Sequence, residues 1–409
     1  MKLYEEHNPN RLVVLICIAA TLALAVAMGV GRFAFTPLFP LMVRDGLLSQ
    51  EFGAWLAASN YLGYLIGALL AAKIRFQPPI LLAIGLICTV LVTAAMGLTS
   101  SPWLWMVLRF VSGVMSAWTL VATTAWSLRW LATMQRPKLA GVIYAGVGLG
   151  IAAAGLFCLV AAAPEVLSTD MWVQLALGAL VASCFSLLVS LKFQSPSVTP
   201  STSHLNTNLN TNPIITTNAK GLIVCYTLFG FGYILPATYL PALGRQLVDD
   251  PQVFGLAWPL FGAAAALSTL LVSWSLGHVN RIKIWAISHI FMALGVCLPS
   301  VWPSLLSISI AALLVGGTFM VVTMIAMQEA RARSVDNSTA LIGQMTAGFA
   351  LGQLLGPVAS ALIGLFTSDF ATALNQALWL SAVGLVLSAV YLMLNLPKHG
   401  HSATTASTD

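Results

Sequence analysis

Charged residues are scarce in this sequence. Only 7% of its 409 residues are Asp, Glu, Lys or Arg, and 59% are hydrophobic, whereas a soluble domain carries about 25% charged residues. A soluble core of this size would need a charged shell, while a lipid-facing surface must be apolar because desolvating a charge is costly. This scarcity excludes a water-soluble domain and predicts that most of the surface faces a lipid bilayer.

Signatures of soluble enzymes and of metal sites are missing as well. The sequence contains no Walker P-loop, no HExxH and no GxSxG motif, and its six cysteines stand singly in apolar runs without CxxC spacing. We therefore expect no catalytic residue, no metal site and no cofactor. The 18 Lys and Arg residues are scattered rather than clustered, so the net charge of +6 does not predict binding to nucleic acid.

Long apolar runs dominate what is present. A transmembrane helix needs about 20 mostly apolar residues, and twelve such runs can be read from the sequence. The sequence therefore predicts an all-α polytopic membrane protein with twelve transmembrane helices. The predicted spans are residues 12–42, 52–72, 78–99, 103–128, 139–162, 171–191, 221–243, 253–277, 284–301, 304–327, 339–366 and 373–395.

Basic residues indicate the orientation of these spans. Lys and Arg are retained on the cytoplasmic side of a membrane, and fourteen of the eighteen fall on one side of the predicted spans when the N-terminus is placed inside. Arg44 and Arg245 fall in outer loops, and Arg32 and Arg109 fall within spans. The pattern predicts cytoplasmic N- and C-termini.

A polar stretch rich in Ser, Thr, Asn and Pro separates the twelve spans into two sets of six. Because it cannot bury enough apolar surface to fold alone, we predict a linker between two bundles. The segment GVGRFAFTPLFP from Gly29 and the segment GFGYILPATYLP from Gly230 align their glycines and one proline, which indicates a repeat with pseudo-two-fold symmetry. The predicted division is 1–191 for the first six-helix bundle, 192–220 for the cytoplasmic linker, 221–396 for the second bundle and 397–409 for a cytoplasmic tail.

Two strings carry a family resemblance. GVGRFAFTPLFPLM (29–42) and ASNYLGYLIGALLA (58–71) resemble segments of the major facilitator superfamily, most closely those of a bacterial subgroup of uncharacterised transporters labelled YbfB/YjiJ-like. The resemblance implies two six-helix bundles and secondary transport by alternating access. In LRFVSG, Arg109 and Gly113 keep the superfamily's Arg-x-x-x-Gly spacing, which implies gating or proton coupling for Arg109.

The superfamily's antiporter motif, Gly-x-x-x-Gly-Pro, is complete only in span 11, as Gly352, Gly356 and Pro357. The resemblance implies a coupling or gating role for these three residues. In span 5 the same motif has Ile151 in place of proline, a departure that weakens an interpretation as a drug antiporter.

Three ionisable residues stand out within the predicted spans, where such residues are costly and therefore functional candidates. Arg32 is a candidate clamp for carboxylate or phosphate; the alternative is a structural arginine that reaches the outer surface or pairs with Asp45 or Glu51. For Arg109 the alternative is a hydrogen bond to backbone carbonyls. His289 is a candidate proton carrier, against the favoured alternative of a hydrogen-bonded helix contact.

Neutral polar residues complete the predicted substrate site, although an interhelical hydrogen bond is the alternative for each. No Asp or Glu lies deep in a predicted span, so an anionic or neutral substrate is favoured over a cation. The candidates besides Arg32 and Arg109 are Asn60, Tyr64, Tyr144, Tyr233 and Gln344, with Gln353 as a further residue that could line the same cavity.

The sequence thus predicts a secondary active transporter of a small organic solute. We expect it to be ion-coupled, with a proton as the candidate ion, to reside in the inner membrane and to work as a monomer. One alternative is a multidrug or metabolite efflux antiporter. An alternative of another class is a non-transporting membrane sensor or embedded enzyme.

Overall fold

The computed structural model describes residues 9–73, 76–163, 165–194, 219–247, 255–333, 338–367 and 370–395. Within these ranges the regular structure is helical and contains no β-strand. Twelve of the helices are long and apolar enough to cross a membrane. The predicted fold class and the predicted number of spans are therefore confirmed.

The spanning helices are numbered here in chain order, and a short 3₁₀ turn, Pro137–Leu139, precedes the fifth. They are α1 Pro9–Arg44, α2 Gln50–Lys73, α3 Pro78–Gly97, α4 Pro102–Thr133, α5 Ala140–Ala161, α6 Ser168–Lys192, α7 Ala219–Leu247, α8 Ala257–Ser275, α9 Arg281–Val301, α10 Leu305–Arg333, α11 Ser338–Gly364 and α12 Phe370–Leu394.

Local sequence explains several helix ends. Pro78 and Pro102 open α3 and α4, where the missing proline N–H costs no hydrogen bond. Asn280 caps α9, because its side chain accepts a hydrogen bond from the backbone N–H of Ile282 at 2.8 Å. Helices α4 and α10 continue past residues 128 and 327, where the predicted spans end, because a helix can extend beyond the apolar run that predicts it.

The middle of α1 is irregular. Its turns are π-helical over Ala25–Phe33, between α-helical parts at Pro9–Leu24 and Phe35–Arg44. Irregular backbone inside a membrane needs hydrogen-bond partners from neighbouring elements, and Ser116 of α4 donates to the carbonyl oxygen of Ala27 at 2.7 Å. Such π-helical turns occur frequently at functional sites.

The same five kinds of helix pair pack in each half of the chain. In the first half α1 packs with α5 and α6, α4 with α2 and α3, and α3 with α6. In the second half α7 packs with α11 and α12, α10 with α8 and α9, and α9 with α12. Between the halves, α5 packs along α8 and α2 along α11. The predicted domain bounds stay a prediction, and residues 195–218 of the linker and the tail 397–409 lie outside the described residues.

The contact between α5 and α8 is formed largely by small residues. A Cβ atom added at Gly148 would overlap backbone atoms of Ala266, and one added at Gly262 would overlap backbone atoms of Ala152. Farther along the same pair, a Cβ at Gly155 would lie 2.8 Å from the Cδ atom of Pro259. The two helix backbones therefore approach each other directly along this line, which we name the glycine seam.

Candidate substrate site

Arg32 lies at the centre of the candidate site. Its side chain is buried, with 2% of the residue exposed, and its Nη2 atom donates a hydrogen bond to Oε1 of Gln353 on α11. Because Arg32 belongs to α1, this bond joins the two halves of the chain. The predicted alternative of an arginine that reaches the outer surface does not agree with this burial.

The positive charge of Arg32 has no carboxylate partner among the described residues. Asp45, one of the two predicted partners, pairs instead with Arg44 at 2.8 Å. The Nε and Nη1 atoms of Arg32 have no hydrogen-bond partner in the described part of the chain. Buried charges in proteins are normally paired and hydrogen-bonded, so this guanidinium has donors to offer to a ligand.

Aromatic rings surround the Arg32 guanidinium. Its central carbon lies 3.8 Å from the ring centre of Tyr64, 5.6 Å from that of Tyr61 and 5.5 Å from that of Phe33. A cation over an aromatic face is stabilised by about 2 kcal/mol where water is excluded. The Tyr64 hydroxyl has no hydrogen-bond partner among the described residues, so it is a second polar group available to a ligand.

Arg109 supports the backbone that carries Arg32. Its Nη1 and Nη2 atoms donate to the carbonyl oxygens of Gly31 and Arg32 at 3.1 and 3.2 Å. The Nδ2 atom of Asn60 donates in turn to the Arg109 carbonyl oxygen at 3.0 Å. The alternative predicted for Arg109 was a hydrogen bond to backbone carbonyls, and these contacts agree with it. A role of Arg109 in coupling stays a prediction.

Tyr233 and Tyr144 lie in different surroundings. Tyr233 stacks on Phe319 of α10 with ring centres 4.5 Å apart, and its hydroxyl has no hydrogen-bond partner among the described residues. The Tyr144 hydroxyl lies 3.0 Å from Oγ1 of Thr124, between α4 and α5. Tyr233 therefore offers a free polar group, whereas Tyr144 is already paired.

The structure does not bring Gln344 into the buried cluster. Gln344 is exposed, whereas Gln353 is fully buried. Nine residues correspond to two and a half turns of an α-helix, so the two side chains lie on opposite faces of α11. Gln353 thus occupies the position on α11 that we predicted for Gln344.

His289 lies in the aromatic core of the second half. Its Nε2 atom accepts a hydrogen bond from Nε1 of Trp285 at 2.8 Å, and its ring stacks on Phe229 with centres 6.0 Å apart. The described contacts of His289 therefore include neither Arg32 nor Gln353. They agree with the helix contact that the sequence favoured, and a role in proton transfer stays a prediction.

The motif residues of α11 lie where it packs on α7. A Cβ atom at Gly352 would overlap the carbonyl oxygen of Thr227, and one at Gly356 would overlap the side chain of Ile234. Pro357 lies inside the helix and has no N–H, so the Gln353 carbonyl lacks its usual helical donor. The motif thus combines close packing with a weakened turn at the residue that holds Arg32.

Sequence reasoning missed the aromatic cluster beside the site. Tyr233, Phe319 and Phe349 lie together, and Phe229 joins them through ring centres 5.1 Å from Phe349. The spacing of Tyr226, Phe229 and Tyr233 along α7 was a usable signal, because residues three, four and seven apart share a helix face. Phe319 and Phe349 come from other helices, and no local pattern indicates their approach.

Comparisons with known proteins agree with this architecture. Residues 24–393 match the model of a family described as uncharacterised MFS-type transporter YbfB, where MFS stands for major facilitator superfamily. The crystal structure of the human organic anion transporter MFSD10 (TETRAN) is similar, with a TM-score of 0.66 and 14% sequence identity over 94% of this chain and 100% of that chain. At that identity the likeness shows the fold alone. No curated protein matches the sequence significantly.

Proposed function

This chain belongs to the MFS-type transporter family described as YbfB, and from that premise we propose that it is a secondary active transporter of a small organic anion. Membership of the family makes the chain a multi-pass membrane transporter. The proposal adds the sign of the substrate, the residue that binds it and the mechanism of alternating access.

The observation that carries the proposal is the Arg32 guanidinium. It is buried where the halves meet, two of its nitrogen atoms have no hydrogen-bond partner among the described residues, and its one partner, Gln353, is neutral. A carboxylate accepts charge-assisted hydrogen bonds from guanidinium at favourable geometry. An anionic substrate would therefore complete an interaction that the described residues leave incomplete.

The distribution of acidic residues supports the same sign. The two described carboxylates with mostly buried side chains, Asp45 and Glu329, already have arginine partners. Asp45 pairs with Arg44, and Glu329 pairs with Arg281 and Arg333 near the end of α10. A cationic substrate would lose its hydration without gaining a counter-charge near Arg32. The anion is thus favoured by electrostatics and not only by the presence of one arginine.

Alternating access requires the two halves to separate around the bound substrate. We propose that the Arg32–Gln353 hydrogen bond closes the site when it is empty, and that the substrate carboxylate replaces Gln353 on binding. The weakened turn at Pro357 allows Gln353 to withdraw. In this proposal the protein is an ion-coupled monomer of the inner membrane, with both termini in the cytoplasm, as the basic residues predict.

Ligand-induced thermal stabilisation of the purified protein tests the proposal. The panel contains small carboxylates, sugars and lipophilic cations, and each is measured with the wild type, Arg32→Gln and the matched control Arg44→Gln at the outer end of α1. A ligand that binds the folded state raises its stability. We expect carboxylates to stabilise the wild type and Arg44→Gln but not Arg32→Gln.

Other results of this assay point elsewhere. Stabilisation by lipophilic cations alone, unchanged in Arg32→Gln, would contradict the anion site and favour the efflux antiporter. Uptake of the stabilising carboxylate into proteoliposomes then separates a transporter from a sensor. Binding without flux, in either direction of an imposed gradient, would contradict transport.

A further inference from the structure

A cavity lies at the other end of the bundle from the Arg44–Asp45 corner. It has a volume of about 900 Å³ and opens where α4, α8 and α10 end and α9 begins. Arg32 does not line it. The predicted orientation places this end of the bundle in the cytoplasm.

The cavity is strongly basic. Its charged lining comprises a single carboxylate, Glu329, and the five cationic side chains of Arg129, Lys138, Arg281, Arg331 and Arg333. Glu329 pairs with Arg281 at 2.8 Å and with Arg333 at 3.0 Å. In the described part of the chain, Arg129, Lys138 and Arg331 have no carboxylate partner.

These three cations come from both halves and converge on one space. Arg129 of α4 and Arg331 of α10 line the same cavity, and their like charges repel each other. The side chain of Lys138 crosses to the α8–α9 connection, where its Cε atom lies 3.3 Å from the Cβ position of Gly277. The absence of a side chain at Gly277 leaves room for the lysine.

General rules of membrane topology do not explain this convergence. Cytoplasmic retention of basic residues depends on their number in the loops, and a basic residue at a helix C-terminus gains from the helix dipole wherever it points. Neither effect turns the cations of the two halves toward each other. Arg129 and Arg331 are half-buried, so their repulsion is screened less than it would be on an open surface.

We propose that this cavity binds a phosphate-bearing anion, held by Arg129 and Lys138 from the first half and by Arg331 from the second. Guanidinium groups form forked hydrogen bonds to phosphate oxygens, and an ammonium adds a compact charge. A divalent anion between the halves replaces repulsion by attraction. The phosphate belongs either to a soluble compound or to a lipid headgroup, and both sources share this chemistry.

Pyrophosphate binding to the full-length protein tests the proposal. The protein is placed in nanodiscs of zwitterionic lipid, and affinity is measured by calorimetry at constant ionic strength. We expect Arg129→Gln and Arg331→Gln each to weaken binding about tenfold, as for the loss of one charge-assisted hydrogen bond. The matched control Lys283→Gln removes an exposed charge of α9 that does not line the cavity, and it should bind like the wild type.

Two further arms identify the source of the phosphate and separate this site from Arg32. If the site binds a lipid headgroup, adding phosphatidylglycerol to the nanodisc should weaken pyrophosphate binding to the wild type. In that case less phosphatidylglycerol should also co-purify with Arg129→Gln than with the wild type. If the site binds a soluble anion, neither quantity should change. Arg32→Gln should bind pyrophosphate normally. This site can therefore stand even if the carboxylate test at Arg32 fails.

Three outcomes would overturn the proposal. One is the absence of pyrophosphate binding together with equal lipid retention in the wild type and Arg129→Gln. Another is an equal loss of affinity in Lys283→Gln, which would indicate unspecific surface charge. The third is loss of binding in Arg32→Gln, which would place the anion in the other site.

Discussion

The guanidinium carbon of Arg32 lies over the ring of Tyr64, 3.8 Å from its centre. The two residues belong to α1 and α2, and Gln353 of α11 holds the same guanidinium from the other half. An aromatic face and a neutral amide stabilise the charge without neutralising it. The arginine is therefore kept in place and remains attractive to an anion.

Two substitutions at Tyr64 test the contributions of its ring and of its hydroxyl separately. Tyr64→Leu removes the aromatic face and should lower the free energy of unfolding by about 1–2 kcal/mol. Tyr64→Phe keeps the face and should leave stability nearly unchanged. If the unpartnered hydroxyl contacts the substrate, Tyr64→Phe should still weaken carboxylate binding. Unfolding is followed by the thermal midpoint and binding by calorimetry; equal destabilisation by both variants would contradict the role of the ring.

The Arg109→Lys substitution distinguishes two roles of Arg109: a structural donor to the backbone of α1, and a residue that couples transport to protons. Lysine keeps the charge but cannot donate to the carbonyls of Gly31 and Arg32 with one planar group. We expect lower thermal stability, weaker carboxylate binding and an unchanged pH profile of uptake in proteoliposomes. A displaced pH profile with normal binding would instead support the coupling role that the family resemblance implies.

Gly113 tests the close approach of α2 and α4. A Cβ atom there would overlap the carbonyl oxygen of Asn60, whereas one at Gly178 on α6 would meet no atom within 4 Å. Gly113→Ala should therefore lower the free energy of unfolding by about 1–3 kcal/mol through overpacking. Gly178→Ala is the matched control and should be neutral or slightly stabilising. Equal unfolding midpoints for the two variants would contradict the described packing.

The corner formed by Arg44, Asp45 and Ser168, between α1 and α6, is expected to be sensitive to acid. Asp45 lies outside the membrane-spanning helices, and its Oδ2 atom accepts a hydrogen bond from the backbone N–H of Ser168 at 2.7 Å. Burial alone would raise the pKa of Asp45, but this hydrogen bond and the charge of Arg44 together lower that pKa below its usual value. Folding therefore favours the ionised carboxyl.

The pH dependence follows from that direction. The stabilisation is fully present above the ordinary carboxyl pKa of about 3.9 and is lost as pH falls through the lower pKa of the folded state. Asp45→Asn should thus lower the thermal midpoint at pH 7, and the difference from the wild type should shrink with acidification below that ordinary value. A constant difference down to the acid limit of folding would contradict the assignment.

The twelve spans could be predicted because each follows from a local property, a run of apolar residues. The helix ends could not, since the apolar run of α4 gives no indication that the helix continues to Thr133. The π-helical turns of α1 also escaped prediction. Two of their carbonyl groups, those of Ala27 and Gly31, accept hydrogen bonds from Ser116 and Arg109 of α4, and these bonds depend on tertiary packing.

Within the candidate site, the sequence draws attention to a residue that is anomalous in its own segment. Arg32 is a charge in an apolar run, and the structure buries it between the halves. Gln344 and Gln353 are equally polar, and only the rotation of α11 decides which one faces inward. The local sequence of α11 could therefore not identify Gln353 as the partner of Arg32.

The glycine seam has a mechanical consequence. Side chains that interlock across a contact must separate before one helix turns on another, and at Gly148 and Gly262 few such side chains stand between α5 and α8. The contact between α5 and α8 can therefore act as a rotation axis, about which one half turns while the two helices stay in contact. The displacement of an atom increases with its distance from this axis, so a small rotation at the glycine seam moves most the helices that lie farthest from it.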